Sequence, residues 1–248
     1  MAAQLRHTSV IDAIGADIVS GALAPNEVIT LEQLQERYKV SRGIARECMR
    51  VLESMGMLQS QRRTGIRVQP LEHWKVNDPL VIRWRLEGPG HQAQLQALTE
   101  LRLGLEPVAA RLAAIRATED ERIGLREIAA MMRVNAEAGR SERHLEADLK
   151  FHTQVLEASH NEIYAAMANL IREVLIARRR QGLIHDANVP AALDQHELVA
   201  QRIADGDPEG AETAMHDLLS EVRAELEADS APANPRPAAR GQSGTARG

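Results

Sequence analysis

Asp148 and His152 stand four residues apart in a stretch with helical periodicity, so both side chains project from one face, one turn apart. A carboxylate and an imidazole at that spacing suit a divalent transition metal such as zinc, nickel or manganese. The same pair also occurs as a plain surface ion pair, so the spacing alone leaves both readings open. A second histidine, His196, stands in a later helical segment, and His144 lies one turn before Asp148. Arg102 carries a planar fork of donors matched to a carboxylate, and it also sits one turn from Glu106, which could pair with it.

A second chemistry is set by arginines. Arg42, Arg46 and Arg50 recur every four residues and share one helix face. Between Arg37 and Arg67 there are eight basic residues against only Glu47 and Glu53, whereas the whole chain of 248 residues carries a net charge of −5. Phosphate attraction dominates non-specific DNA affinity, so this local excess points to nucleic acid in spite of the acidic total. Arg62, Arg63 and Thr64 precede Gly65 between two short strand-like runs, which reads as a hairpin with a basic tip.

The elements around these residues have clear local signals. Val10, Ile14 and Ile18 place a helix over 9–20, with Gly21 as its stop. Thr30 and Gln33 form a capping box for a short second helix, and Ser41 caps a third running to about Met55. Asp78 and Pro79 open a helix over 79–86, and Gly88-Pro89-Gly90 breaks it. Beyond His91 the periodicity is helical throughout, with helices expected near 91–116, 119–138, 142–159, 162–183, 191–205 and 208–228. Ser141 is expected to cap the third of these, and Pro107 to kink the first.

Composition bounds the rest. Apolar residues make up 44% and aromatics only 2%, so the core must be aliphatic. Cys48 is the single cysteine, which excludes an intramolecular disulfide; it reads as a buried helix residue, with a redox sensor as the alternative. No apolar run approaches the ~18 residues of a membrane span, and the N-terminus has no signal-peptide core. A cytoplasmic protein is expected. The fold class is mainly α: a winged helix-turn-helix over 1–70, a linker with a short helix over 71–90, an antiparallel all-α bundle over 91–229 and a disordered tail over 230–248. Trp74 and Trp84 are expected to pack between the two larger parts.

Residues 10–68 resemble the DNA-binding domain of the GntR family of bacterial transcription regulators. The resemblance is carried by Ile18, Gly21, Leu23-Ala24-Pro25, Leu34, Val40-Ser41-Arg42, Arg46-Glu47, Leu52, Gly56-Met57-Leu58, Gly65 and Val68. It implies that Arg42 and Arg46 reach guanines, that Ser41 and Gly43 approach backbone or base edges, and that Gly65 enters the minor groove. Arg50, Arg62 and Thr64 are added as contacts along the phosphate path. The chain departs from the family in having Gly43-Ile44 after Ser41-Arg42, Asn26 after Pro25, and Glu32 where a basic residue is common.

The later region is similar to the FCD effector domain of one GntR subfamily, through Arg102 with Glu106, Asp148 to His152, Asn161, and His196 leading into Ile203-Ala204-Asp205-Gly206-Asp207, Ala211 and Ala214-Met215. That resemblance implies a metal held by Asp148, His152 and His196, and a small organic acid bound by Arg102, Asp148, His152, His196 and Asn161. The family's last histidine falls at Leu218 here, and His216 two residues earlier turns to another face. His144 is a possible replacement, and a metal-free pocket in which both histidines bind an anion is the alternative. Trp74, Asp78-Pro79 and Val81 to Leu86 resemble a sugar-acid-responsive branch. The expected function is a homodimeric repressor on a palindromic operator, released by a sugar acid. Its rivals are a DNA-binding protein without effector and an all-helical metalloenzyme.

Overall fold

The computed structural model of the chain describes residues 2–61, 65–180 and 189–230. Helix α1 (Ala2–Ser20) begins seven residues before the expected Ser9, because the opening Ala-Ala-Gln-Leu favours helix. Val10, Ile14 and Ile18 are buried on one face. Strand β1 (Val28–Ile29) follows, then α2 (Leu31–Tyr38) and α3 (Arg42–Ser54). The Thr30 capping box forms: Thr30 N donates to Gln33 Oε1 at 2.7 Å, and Gln33 N donates to Thr30 Oγ1 at 3.2 Å. Ile44 N donates to Ser41 Oγ at 3.4 Å, which starts α3 where expected.

Strands β2 (Leu58–Gln61) and β3 (Gly65–Val68) pair antiparallel, with Leu58 opposite Val68 and Gln61 opposite Gly65. β1 adds to the other edge of β3, giving the order β1-β3-β2. Two residues carry no periodicity, so this third strand had no sequence signal. Arg62 and Thr64, expected at the hairpin tip, lie outside the described residues, as does the expected tail except for Ser230.

Helix α4 (Pro79–Glu87) starts at Asp78, whose Oδ1 accepts from Leu80 N at 2.9 Å. Its apolar residues divide between two cores. Val81 and Trp84 join the cluster formed by α1, α3 and the sheet, while Ile82 and Leu86 join the bundle cluster. Trp84 also donates through Nε1 to Asp12 Oδ1 at 2.9 Å, and Arg83 pairs with the same carboxylate. The indole lies over Gly15, where an added Cβ would sit 2.4 Å from Trp84 Cδ2. Trp74 instead donates to Gln69 O at 2.8 Å.

The bundle consists of α5 (His91–Arg116), α6 (Glu119–Glu137), α7 (Ser141–Ala158), α8 (Glu162–Ala166), α9 (Ala168–Arg180), α10 (Val189–Ala204) and α11 (Pro208–Ser230). α5 runs through Pro107 as one helix. The single helix expected over 162–183 is two: Met167 N bonds back to Tyr164 O, tightening the turn, and Ile171 N resumes on Met167 O. Ser141 does not cap α7; Arg140 holds that position without a side-chain cap bond. The core is aliphatic apart from Phe151, the only phenylalanine. Among the described residues no helix is long and apolar enough to cross a membrane.

Candidate functional site

The surface expected to face DNA follows from how α3 is buried. Ala45, Cys48 and Leu52 turn inward, which leaves Ser41, Arg42, Gly43, Arg46 and Arg50 exposed on the opposite face. Not all of the positive charge counted along the sequence is free. Arg37 is tied to Asp17 at 2.8 Å, and Arg50 lies 3.4 Å from Glu47. Glu32 reaches to 4.0 Å from Arg42, so this departure sets an acid beside the leading arginine of α3. Arg46 makes none of the ion pairs found among the described residues. Gly65 sits at φ +120, with Ile29 O 2.8 Å from where a Cβ would be, so a side chain is excluded by both backbone and neighbour. Cys48 is fully buried, and that burial pushes its thiol up to about 11, which suits a packing residue rather than a redox sensor.

The bundle encloses a second cluster. α5 supplies Arg102 and Glu106, α7 supplies Asp148 and His152, and α10 supplies His196. Asp148 Oδ1 lies 3.4 Å from His152 Nε2 and 3.3 Å from His196 Nε2, and the two Nε2 atoms are 3.4 Å apart. His152 Nδ1 donates to Glu106 Oε2 at 2.5 Å, and Arg102 Nε donates to Glu106 Oε1 at 2.5 Å. His196 Nδ1 donates to Ala192 O at 2.6 Å. Both Nδ1 atoms are therefore held by acceptors, so each Nε2 faces Asp148, donating to it while protonated and presenting a lone pair to an ion once that proton is lost. Phe151 packs edge-on against both rings, at 5.7 Å from His152 and 5.0 Å from His196.

Electrostatics keep this cluster charged. Burial alone would raise the Glu106 carboxyl, but Arg102 and His152 outweigh it and hold it at about 2. Asp148 is likewise held well below the carboxylate range: burial opposes its charge, and the hydrogen bonds from His152 and His196 overcome it. Arg102 is 1% exposed, and its Nη1 is buried without a hydrogen-bond partner among the described residues. A buried N–H left unpaired is costly, so this donor is one that a ligand can satisfy.

The donor set fits a metal. Metal–ligand bonds of about 2.0–2.1 Å in a tetrahedron place neighbouring donors about 3.3 Å apart, which the three measured separations match. Among the described residues the cluster of possible ligands at this place is Asp148, His152 and His196. Leu218 is buried in the apolar core and His216 is exposed, as expected for the departure at those positions. His144 does not replace the missing histidine: it is not among the residues whose ligand atoms converge here, and its Nδ1 lies 3.2 Å from Met132 O on α6. Asn161 caps α8, accepting from Ile163 N at 3.0 Å, and none of its hydrogen bonds reaches the cluster.

One residue had escaped the sequence reading. Arg178 of α9 is buried and bonds to Glu225 of α11 at 3.2 Å. Its only signal was a place in the basic run Arg178-Arg179-Arg180, which looks like a solvated helix end.

Comparison with known proteins agrees with both parts. Residues 6–68 match the family described as bacterial regulatory proteins, gntR family, and residues 97–221 match the FCD domain. The chain is 29% identical over 216 residues to the galactonate operon transcriptional repressor of Escherichia coli K12, covering 85% of this chain and 92% of that one. It is 26% identical to the regulator LutR of Bacillus subtilis, covering 83% and 94%. Among solved structures, Lar of Listeria monocytogenes superposes with a TM-score of 0.60 at 15% identity, over 90% of this chain and 96% of that one. McbR/YncC of E. coli gives a TM-score of 0.52 at 18% identity, over 90% and 98%. These two share the fold. The chain belongs to the GntR family of bacterial regulatory proteins, in the group that carries an FCD domain, and is a DNA-binding transcriptional regulator rather than an enzyme.

Proposed function

We propose that this regulator is a cytoplasmic repressor whose hold on its operator is released by a small carboxylate, a sugar acid, bound inside the bundle. Residues 1–70 bind DNA, 71–90 link, and 91–229 bind effector and pair two chains. Each chain of the homodimer lays α3 in a major groove of a palindromic site. Arg42 and Arg46 read guanines, Ser41, Gly43 and Gly65 approach the duplex closely, and Arg50, Arg62 and Thr64 follow the phosphates.

The observation that carries the effector reading is the buried polar cluster itself. Arg102, fully enclosed and with an unpartnered Nη1, stands against His152 of the Asp148, His152 and His196 group, within a bundle whose core is mainly aliphatic. Such a group without a ligand is a standing cost to the fold. The galactonate operon repressor among the relatives supports a sugar acid as the ligand. Asp148, His152 and His196 would hold a divalent ion, which when bound supplies a Lewis-acid anchor for the acid's oxygens. Arg102 orients the carboxylate, Glu106 holds the proton on His152 Nδ1, and the aliphatic wall excludes water. Asn161 stays outside this set because its side chain is spent on capping α8.

Release follows from the two-sided packing of α4. One face contacts the core containing α1 and α3, and the other contacts the bundle, so a ligand that favours one arrangement of the bundle also shifts the winged domains. The effector acts only by its difference in affinity between the two arrangements. The test is thermal unfolding of the zinc-loaded protein with galactonate, gluconate, glycolate and lactate. A binder at a hundredfold over its dissociation constant adds roughly 2.7 kcal/mol. A rise in melting temperature with one acid, and weaker operator binding with that same acid, is the expected result. A flat panel would remove the sugar-acid reading.

A further inference from the structure

Arg178 has no role in the reading above. Its side chain is 9% exposed. Nη2 donates to Glu225 Oε2 at 3.2 Å, and Nε is buried with no hydrogen-bond partner among the described residues. Arg102 Nη1 is in the same condition on the facing helix α5, and α9 packs on both α5 and α7. Burial pushes the Arg178 guanidinium down to about 10, Arg102 pushes it in the same direction, and the Asp148 carboxylate opposes both. By geometry, both arginines are enclosed on helices that pack together, each with a buried N–H that no group among the described residues accepts.

Each guanidinium already has one carboxylate, Glu106 for Arg102 and Glu225 for Arg178, yet each keeps a buried N–H unmade, which an anion lying between them would satisfy. The chain's own carboxylates nearby are engaged. Asp148 is shared by His152 and His196, and Glu106 by Arg102 and His152. We propose that Arg178 is the second arm of an anion clamp, with the effector's carboxylate held between Arg102 Nη1 and Arg178 Nε and its neighbouring hydroxyl turned toward Asp148, His152 and His196. The ligand class is a 2-hydroxy carboxylate. This rests on the carboxylate-effector reading and adds the residue that completes it.

The placement also gives the ligand a lever. Arg178 is on the helix whose Ile176, Ala177 and Arg180 line a cavity together with Arg83, Leu86 and Glu87 of α4. A ligand that draws Arg178 inward therefore acts on the helix that touches α4.

The experiment is isothermal titration of the zinc-loaded, full-length protein with the four acids above, and with galactitol as a neutral comparator of similar shape. Wild type, Arg178→Gln and Arg178→Lys are compared, with circular dichroism confirming the fold. Arg178→Gln is expected to weaken the binding acid about tenfold or more, as loss of a charged hydrogen bond does. Galactitol is expected to bind with the same, weaker affinity in both. Arg178→Lys, which keeps the charge but not the fork, is expected to fall between. Equal acid affinity in wild type and Arg178→Gln overturns the clamp and leaves the effector reading standing. Loss of acid and galactitol in equal measure shows a structural residue and also overturns it. If no acid binds wild type, the effector reading fails and the clamp with it. If Arg178→Gln does not fold, Arg178→Lys decides: a loss of about threefold or more supports the clamp, and no loss overturns it.

Discussion

Glu106 and His152, 46 residues apart in the chain, meet at 2.5 Å through Oε2 and Nδ1. The same carboxylate takes Arg102 on its other oxygen, so it joins the arginine proposed to bind the effector to the histidine proposed to bind the metal. A histidine ligand whose second nitrogen is held by a carboxylate is fixed in tautomer and orientation, and loss of such a partner costs about 10–100-fold in metal affinity. Glu106→Gln is expected to weaken zinc by that factor in competition against a chromophoric chelator. Undiminished zinc affinity would mean that His152 is oriented by something else.

Arg42 is expected to carry sequence discrimination. It opens α3 on the exposed face, and a bidentate arginine–guanine contact is worth about 1–3 kcal/mol against a wrong base. Arg42→Ala should therefore bring operator affinity close to that for random duplex DNA, in fluorescence anisotropy at fixed salt. A variant that keeps the wild-type ratio between the two DNAs would move the recognition role elsewhere.

What the sequence made legible was local. The Thr30–Gln33 box and the Ser41 and Asp78 caps each lie within four residues, and each forms. The Asp148–His152 pair was visible for the same reason, since helical geometry alone sets it on one face. The bond from Glu106 to His152, the pairing of Arg178 with Glu225 and the docking of Trp84 on Asp12 span 46, 47 and 72 residues. They depend on which helices pack together, and one chain's periodicity does not say. The break at Met167 was hidden too, because helical residues flank it on both sides.

Gly15 is expected to resist substitution although it lies mid-helix. Alanine would normally gain up to about 1 kcal/mol there. Here its Cβ would meet the Trp84 ring at 2.4 Å, and the ring is hemmed in at 2% exposure. Overpacking typically costs about 1–3 kcal/mol, so the clash should win. Gly15→Ala is expected to lower stability in urea unfolding and to change Trp fluorescence. A more stable variant would show that the α1–α4 contact is loose.

Cys48 sets an alkaline limit. Its thiol, buried against α1 and the sheet, ionises at about 11 when folded, whereas the ordinary value is 9.0. Below pH 9 the thiol is neutral in both states and its contribution is fully present. Between 9 and 11 the unfolded chain ionises first, so stability falls with rising pH, by an amount on the order of 2–3 kcal/mol over that window. Cys48→Ala should flatten this limb of the unfolding curve. An unchanged limb would place the alkaline loss in other groups.

Removal of the metal is expected to remove the effector as well. Arg102 and Arg178 face Glu106, Asp148 and Glu225, so at an alkaline pH, where His152 is neutral in spite of its raised pKa, the cluster has one net negative charge. A carboxylate entering that cluster is repelled on balance, while a divalent ion reverses the sign to one positive. At an effective dielectric constant near 20, a unit pair about 4 Å apart is worth about 4 kcal/mol, well above the 1.4 kcal/mol of a tenfold change. Protein stripped with a chelator should therefore bind the acid at least tenfold more weakly, and zinc should restore it. If the stripped protein binds as tightly as the loaded one, the two histidines receive the anion themselves, and the pocket works without metal.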